Sequence, residues 1–310
     1  MKRRDFLIAS ATTAGVITLS PLLITGCQKP KKTLKISLAQ WSLHRAFENG
    51  DLHPRDFANI SMDTYGIDAV EYVGSFYNTY AENLQFWTFM QRRAENAGVQ
   101  SLLIMVDDEG DIGSADDLTR NTAVENHYKW VDAAKVLGCH SIRVNAFGAS
   151  DRTTFKNAIV DGMGKLTDYA AGEGINVLIE NHGLLSSDGQ LIAEIIQQVG
   201  KPNLGTLPDF GNWCTSAKWG GTEGECDETY DIYKGVADLL PYAKGVSAKS
   251  YDFDEKGDQI KIDYYKMLKM VRNSDYDGHI GIEYEGQSLS EHDGILATKA
   301  LIEKIWLKVN

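Results

Sequence analysis

The sequence is short of cysteine, of basic residues and of long apolar runs. Four cysteines occur in 310 residues, Cys27, Cys139, Cys214 and Cys226, and their spacing matches no zinc signature. Lys and Arg number 31 against 43 Asp and Glu, a formal net charge of −12. So acidic a chain lacks the basic patch that phosphate contacts require, which argues against a nucleic-acid partner. Beyond the N-terminal stretch no apolar run approaches the length of a spanning helix. There is no low-complexity segment and no inner linker.

What is present begins at the N-terminus. Lys2, Arg3 and Arg4 precede a mostly apolar run from Phe6 to Thr25. Flanks of this kind read as a signal peptide before they read as a membrane span; an uncleaved N-terminal anchor is the alternative. Arg3-Arg4-Asp5-Phe6-Leu7 resembles a twin-arginine export signal, and Ile24-Thr25-Gly26-Cys27 resembles the lipobox of bacterial lipoproteins. The resemblance implies cleavage before Cys27 and lipidation of that residue. Residues 1–26 are then the signal peptide and residues 27–33 a polar tether. The product is an exported, periplasmic or cell-envelope lipoprotein held to a membrane through its lipid anchor. Removing a segment of net charge +2 leaves 284 residues at −14. Three remaining cysteines cannot all pair. Cys214–Cys226 could close a loop disulfide, but the simpler expectation is small buried or loop residues.

From residue 34 to 310 short apolar runs alternate with longer segments of helical period. The runs are Lys35–Gln40, Ala69–Val73, Ser101–Val106, Ser141–Ala146, Asn176–Glu180, Leu204–Leu207, Lys244–Lys249 and His279–Tyr284. Between them Leu191, Ile195 and Val199 form one apolar stripe; Tyr264, Met267, Leu268 and Val271 form another; Ile295, Leu301, Ile302 and Ile305 form a third. Gly98, Gly138, Gly174 and Gly278 stand just before strands, where they read as helix stops. Eight such units predict an α/β fold, a (β/α)8 TIM barrel in one domain.

Barrel active sites lie at the C-terminal ends of the strands. The polar residues there are Trp41, Ser42 and His44 on the first strand, Glu71 on the second, and Asp107 and Asp108 on the third. Arg143 and Asn145 follow on the fourth, Glu180, Asn181 and His182 on the fifth, and Asp209 and Asn212 on the sixth. Ser247 and Lys249 belong to the seventh strand, Glu283 and Glu285 to the eighth. Alternation turns Glu180 and Glu283 inward, with His182 and Glu285 on the same sides, and puts Ser247 with Lys249 and Arg143 with Asn145 on shared faces. Carboxylates converging on one mouth call for a cation or a charged ligand. The irregular stretch from Gly211 to Glu228 lies on the same face and could act as a lid. Trp41 and Trp213 are candidates to stack on the ring of a bound ligand.

Three segments carry a resemblance. Ile179-Glu180-Asn181-His182-Gly183, Leu207-Pro208-Asp209-Phe210-Gly211-Asn212 and Ile282-Glu283-Tyr284-Glu285 resemble strands five, six and eight of the xylose-isomerase-like barrel family of sugar isomerases, epimerases and related lyases. The resemblance implies a divalent metal, manganese or magnesium or similar, on Glu180, Asp209 and Glu283. Where many relatives have a strand-seven histidine ligand this chain has Ser247, and Asn212 occupies another position where relatives often carry histidine. His182 is a candidate for the missing nitrogen or for a substrate contact.

The chemistry then expected is proton abstraction beside a carbonyl on an extracytoplasmic carbohydrate, as in isomerisation or epimerisation. Glu180 and Glu283 are the acid/base pair and Lys249 a stabiliser of negative charge. Trp41, His44, Glu71, Arg143, Asn145, His182, Asn212 and Ser247 are the candidate substrate-binding residues. Two alternatives stand: a lyase that performs β-elimination on a keto-glycoside, and a non-catalytic sugar-binding lipoprotein.

Overall fold

The computed structural model describes residues 32–221 and 226–309. The expected signal peptide, tether and Cys27 lie outside these residues, apart from the last two tether positions. Eight strands appear where the apolar runs predict them: β1 (Ile36–Ala39), β2 (Ala69–Val73), β3 (Gln100–Val106), β4 (Ser141–Asn145), β5 (Asn176–Glu180), β6 (Leu204–Leu207), β7 (Val246–Ser250) and β8 (Ile280–Tyr284). The helices are α1 (His44–Glu48), α2 (Phe57–Tyr65), α3 (Leu84–Asn96), α4 (Asp117–Leu137), α5 (Arg152–Glu173), α6 (Gly189–Val199), α7 (Ile232–Leu239), α8 (Tyr264–Asn273) and α9 (Glu291–Trp306). All strands are parallel, in the order β6-β5-β4-β3-β2-β1-β8-β7. Among the described residues no helix is long and apolar enough to cross a membrane.

The ring closes between β6 and β7 through two isolated parallel bridges, Thr206 with Ala243 and Asp209 with Ser247. Pro208 sits between them and has no N–H to give; its carbonyl accepts from Ser247 N at 3.1 Å. The seam therefore has few ladder bonds, yet it sets Asp209 and Ser247 side by side.

The helices start where short polar side chains can hold their first free N–H groups. Asp116, Asp151, Asp188, Asp231, Asp263 and Ser290 each accept from the amide three residues on, at 2.7–3.0 Å, as does Asn83 before α3. Gly138 and Gly174 end α4 and α5 in the left-handed conformation expected of them. Gly278 does not: α8 ends at Asn273, and Gly278 has no positive φ. It stands tight against the Tyr276 ring, which makes its small size a packing requirement.

Two apolar regions result. The larger fills the layer between sheet and helices, and takes in Leu191 and Ile195 of α6, Met267 and Leu268 of α8, and Leu301 and Ile302 of α9. The smaller lies inside the barrel and consists of Ala39, Val73, Leu103, Met105, Leu178 and Leu207. Trp213 belongs to the outer layer. It is fully buried, and its indole lies against α7 where Gly235 leaves room; a Cβ at Gly235 would overlap the ring. This overturns Trp213 as a sugar-stacking residue, because no face of it is open. The cysteine expectation is overturned as well: Cys214 and Cys226 form a disulfide across a separation of 12 residues, while Cys139 is free and buried. Backbone pairing of Cys214 with Thr229 brings the two strands of the loop together, and with them the two sulfurs.

The Trp213–Gly235 contact gives a stability test. Gly235→Ala should lower the unfolding free energy by about 1–3 kcal/mol, the usual penalty of overpacking. A midpoint in urea unchanged from the parent would show that the indole moves aside freely.

Candidate active site

The floor of the site is built from inward-facing side chains of β4 to β8. In-register pairing of Lys249 with Glu283 and of Asn145 with Glu180 places them in adjacent positions. Oxygens of Glu180, Asp209 and Glu283 lie within 4.8 Å of one another, all three residues being buried. Ligand oxygens around an ion at about 2.1 Å are separated by roughly 3–4 Å, so little movement would let all three bind one cation. His182 is not part of this cluster; among the described residues the three carboxylates alone form it.

Ser247 stands at the point where a fourth ligand would come. Its Oγ lies 2.5 Å from Asp209 Oδ2 and 2.7 Å from Glu283 Oε2. A hydroxyl has one proton and can donate to one of these oxygens only. The other presses on its lone pairs unless a second proton or a cation is present. The wider charge balance points the same way. Arg143 pairs with Asp107 and with Glu180, its Nε 2.8 Å from Glu180 Oε2 though poorly aligned for a hydrogen bond. Lys249 Nζ lies 3.0 Å from Glu283 Oε1 and 3.1 Å from Glu285 Oε2. Two fixed cations thus face four carboxylates, and Asp209 adds a fifth. The three carboxylates and the Ser247 hydroxyl would all offer oxygen to a cation here, a set that suits a hard divalent ion. The buried acidic triad could hold such an ion.

Burial drives the proton affinities apart. It pushes Glu180 well above the usual carboxylate range, helped by Glu283 and Asp209 and opposed by Arg143. Burial also raises Asp209 to about 7, against Lys249. Glu283 is buried too, but Lys249 and the Ser247 hydroxyl outweigh that and hold it below its ordinary value. Asp107 is lowered, since the Arg143 charge and the hydrogen bonds from Arg143 and Asn145 overcome its burial. Lys249 is raised well above the usual lysine value: burial works against its charge, and Glu283, Glu285 and Asp209 override it.

His182 has a defined tautomer. Asn145 Nδ2 donates to Asp107 at 2.9 Å, and Arg143 donates to Asn145 Oδ1 at 3.1 Å, which fixes that oxygen as an acceptor. His182 Nδ1, 2.7 Å from the same oxygen, must therefore be the donor. Burial, with Arg143 next, pushes the imidazole down to about 3, so the ring is neutral and Nε2 carries a lone pair.

A cavity of about 390 Å³ opens above this floor. Its lining includes Trp41, Asp107, Asp108, Arg143, His182, Lys249, Glu283 and Glu285. Asn145 and Asn212 stand behind that wall. Asn212 Nδ2 donates to Glu180 at 3.2 Å, and its amide and that of Gly211 donate to Asp209 Oδ1 at 2.9 and 2.7 Å. Of the eight expected substrate contacts, Trp41, Arg143 and His182 line the cavity, and Asn145, Asn212, Ser247, His44 and Glu71 do not. His44 turns away, stacked under Trp41 at 4.6 Å between ring centroids and bonded to the Trp41 carbonyl. Glu71 points down the barrel, accepting from Ser37 Oγ at 2.6 Å and packing over Gly281; burial raises it to about 7. Both belong to the barrel's support, because the first strand turns into a 3-10 helix at Gln40–Leu43 and Gly281 leaves a gap that Glu71 fills. Reading strand ends missed Trp219, Val73, Ser75 and Gly221, which also line the cavity. A tryptophan between charged residues and glycines in the expected lid was the available signal for the first.

Residues 62–308 match the family model for the xylose isomerase-like TIM barrel. Among solved structures, this chain is similar to a 3-keto-D-glucoside 4-epimerase from E. coli (14% identity, 88% of this chain and 100% of that chain, TM-score 0.66). It is also similar to a D-psicose 3-epimerase in the presence of D-fructose (13%, 88% and 99%, TM-score 0.65) and to the IOLI protein with a binding zinc atom (13%, 89% and 99%, TM-score 0.65). At such identities the likeness is one of fold. Comparison with curated protein sequences finds no match. With four-fifths of its length matched by the family model and its three carboxylates gathered at the C-terminal mouth of a closed eight-stranded ring, the chain belongs to the xylose isomerase-like TIM barrel family.

Proposed function

We propose that the protein is a metal-assisted isomerase or epimerase that moves a proton beside the carbonyl of a carbohydrate. The observation that carries this is the gathering of Glu180, Asp209 and Glu283 within 4.8 Å, with Lys249 buried against Glu283. Glu180, Asp209 and Glu283 would hold a divalent cation, with the Ser247 hydroxyl or water completing the set. When bound, the cation polarises the carbonyl and offsets negative charge on the deprotonated sugar. The protein's own groups supply the rest. Glu283, kept ionised by Lys249, is suited to accept a proton, and Glu180, the other glutamate of the cluster, is the partner that would return it. Lys249 stands ready to face an enediolate oxygen. Arg143 and the Nε2 of His182 reach the cavity as partners for substrate hydroxyls.

A lyase reading, β-elimination on a keto-glycoside, uses the same base and draws support from the hydroxyl at Ser247 in place of imidazole. Product mass separates the two: isomerisation is mass-neutral, and elimination gives an unsaturated product or a released aglycone. Export through the N-terminal segment, with a lipid on Cys27, is part of the proposal. The Cys214–Cys226 disulfide supports it, because such bonds persist in oxidising compartments.

Glu180→Gln and Glu283→Gln should each reduce turnover by at least ~10²-fold while far-UV and near-UV circular dichroism stay unchanged. Parent-like activity in both variants would remove the acid/base assignment. Elemental mass spectrometry of the purified chain should find about one equivalent of a divalent cation, lost in Asp209→Ala. No metal after incubation with manganese would turn the reading toward metal-free chemistry or a binding protein. By ¹⁵N NMR, His182 should stay the neutral Nδ1–H tautomer at pH 5, since its pKa is pushed down to about 3. An imidazolium at that pH would contradict the lowering by burial and Arg143, since the Nδ1 proton on Asn145 is kept in either form.

A further inference from the structure

The loop after β6 is docked onto the loop after β5 by close backbone contacts, with Ser187 Oγ donating to Asn212 O at 2.6 Å beside them. Lys218 pairs with Gly183 in an antiparallel bridge, and Leu184 N donates to Ala217 O at 3.1 Å. Gly183 (φ +99°) and Gly220 (φ +65°) face each other so closely that a Cβ on Gly183 would fall 2.6 Å from Gly220 N, and one on Gly220 2.6 Å from Gly183 N. No other residue type fits either place. Cys214 N donates to Gly220 O at 3.0 Å, and the Cys214–Cys226 disulfide ties the base of the loop.

The residue these contacts position is Trp219. Its φ of +72° is a conformation that a tryptophan rarely adopts, and outliers of this kind gather at ligand sites. The indole stands edge-on to His182 (5.2 Å between centroids, 74°) and to Phe147 (5.4 Å, 90°). It lines the cavity, yet it is 43% exposed, whereas Lys249 and Glu283 are buried. The gradient of exposure makes the charged cluster the floor and Trp219 the rim. The space between them exceeds one ring. At ~30 Å³ per liquid water, 390 Å³ is the share of about 13 waters. A hexose has twelve non-hydrogen atoms, bonded closer together than waters pack.

Resting on the carbohydrate reading above, we infer that Trp219 contacts substrate and stacks on a second ring, so that the pocket takes a glycoside rather than a free monosaccharide. The reacting sugar lies over the carboxylates, and the apolar face of the attached ring lies on the indole. Strain in the loop backbone is held by the two glycines and the disulfide, which keeps the indole in place before substrate arrives.

The test is calorimetric binding of D-glucose, methyl β-D-glucoside, phenyl β-D-glucoside and cellobiose, with manganese supplied. The proteins are the parent chain, Trp219→Ala, Trp219→Phe, and the double variant Cys214→Ser with Cys226→Ser. The parent should bind the two-ring ligands about tenfold more tightly than methyl β-D-glucoside. Trp219→Ala should abolish that preference, cutting the ratio of two-ring to methyl β-D-glucoside affinity about tenfold, and Trp219→Phe should restore part of it. The double variant, which leaves the indole present but loosens its loop, should weaken the preference in the same direction. Binding of all four ligands with equal affinity, or a preference that survives in Trp219→Ala, overturns the inference and leaves the carbohydrate reading standing. No binding of any of the four overturns both.

Discussion

Ser247 offers one proton to two carboxylates, and the interior of this barrel is organised around that shortfall. Asp209 and Ser247 are neighbours because Pro208 thins the ladder between β6 and β7 to isolated bridges, one of which joins these two residues. Glu283 is brought to the same hydroxyl by the β7–β8 register, which also sets Lys249 against it. Removing charges from water is expensive unless each finds a partner. Here Arg143 and Lys249 supply partners for four carboxylates, while Asp209 has two backbone amides and half of a serine proton. The excess of negative charge is therefore concentrated at one spot, between Glu180, Asp209 and Glu283.

The outer layer makes this arrangement tolerable by asking nothing of it. The helices α3 to α9 are capped by Asp, Asn and Ser side chains, and four of the helices end in a left-handed glycine. Their apolar faces pack on the outward side of the strands, in a core separate from the small cluster inside the ring. Polar residues inside can accordingly be chosen for chemistry. Glu71 marks the lower limit of that freedom. It fills the space over Gly281 as a raised-pKa carboxyl with a Ser37 bond and one oxygen that finds no hydrogen-bond partner among the described residues.

Much of this was legible from the sequence, for a physical reason. A parallel barrel strand must be apolar outward and repeats every two residues, so the eight runs announce themselves and alternation says which polar residues face in. Glu180, Asp209, Ser247, Lys249 and Glu283 meet as that rule requires. The rule fails where the strand stops. Trp41 lies on a 3-10 turn and His44 opens α1, directions that no period of two describes, and only Trp41 reaches the cavity. Trp213 and Trp219 lie six residues apart in one loop, alike in type and opposite in fate. One is buried by a missing side chain at Gly235, a residue far along in α7; the other is lifted to the rim by Gly183, a residue of the preceding strand's loop. Neither determinant is local. The disulfide escaped for the same reason, since it depends on backbone pairing across the loop that brings Cys214 and Cys226 together.

The oxygen-only character of the cluster bears on what cation it would favour. Imidazole adds affinity for zinc and later transition metals, which by the usual order of stability would outcompete manganese or magnesium at a nitrogen-bearing site. A serine hydroxyl contributes no such bias, and His182 is turned toward Asn145 with its Nδ1 proton engaged. Carboxylates, water and a hydroxyl leave selectivity to charge and cavity size. They also leave binding weaker, because charge is the main attraction and Lys249 already competes for Glu283 at 3.0 Å. A cation at this site would thus share Glu283 with a lysine. The two positive charges would together hold that carboxylate ionised, which is the state a proton acceptor beside a carbonyl requires.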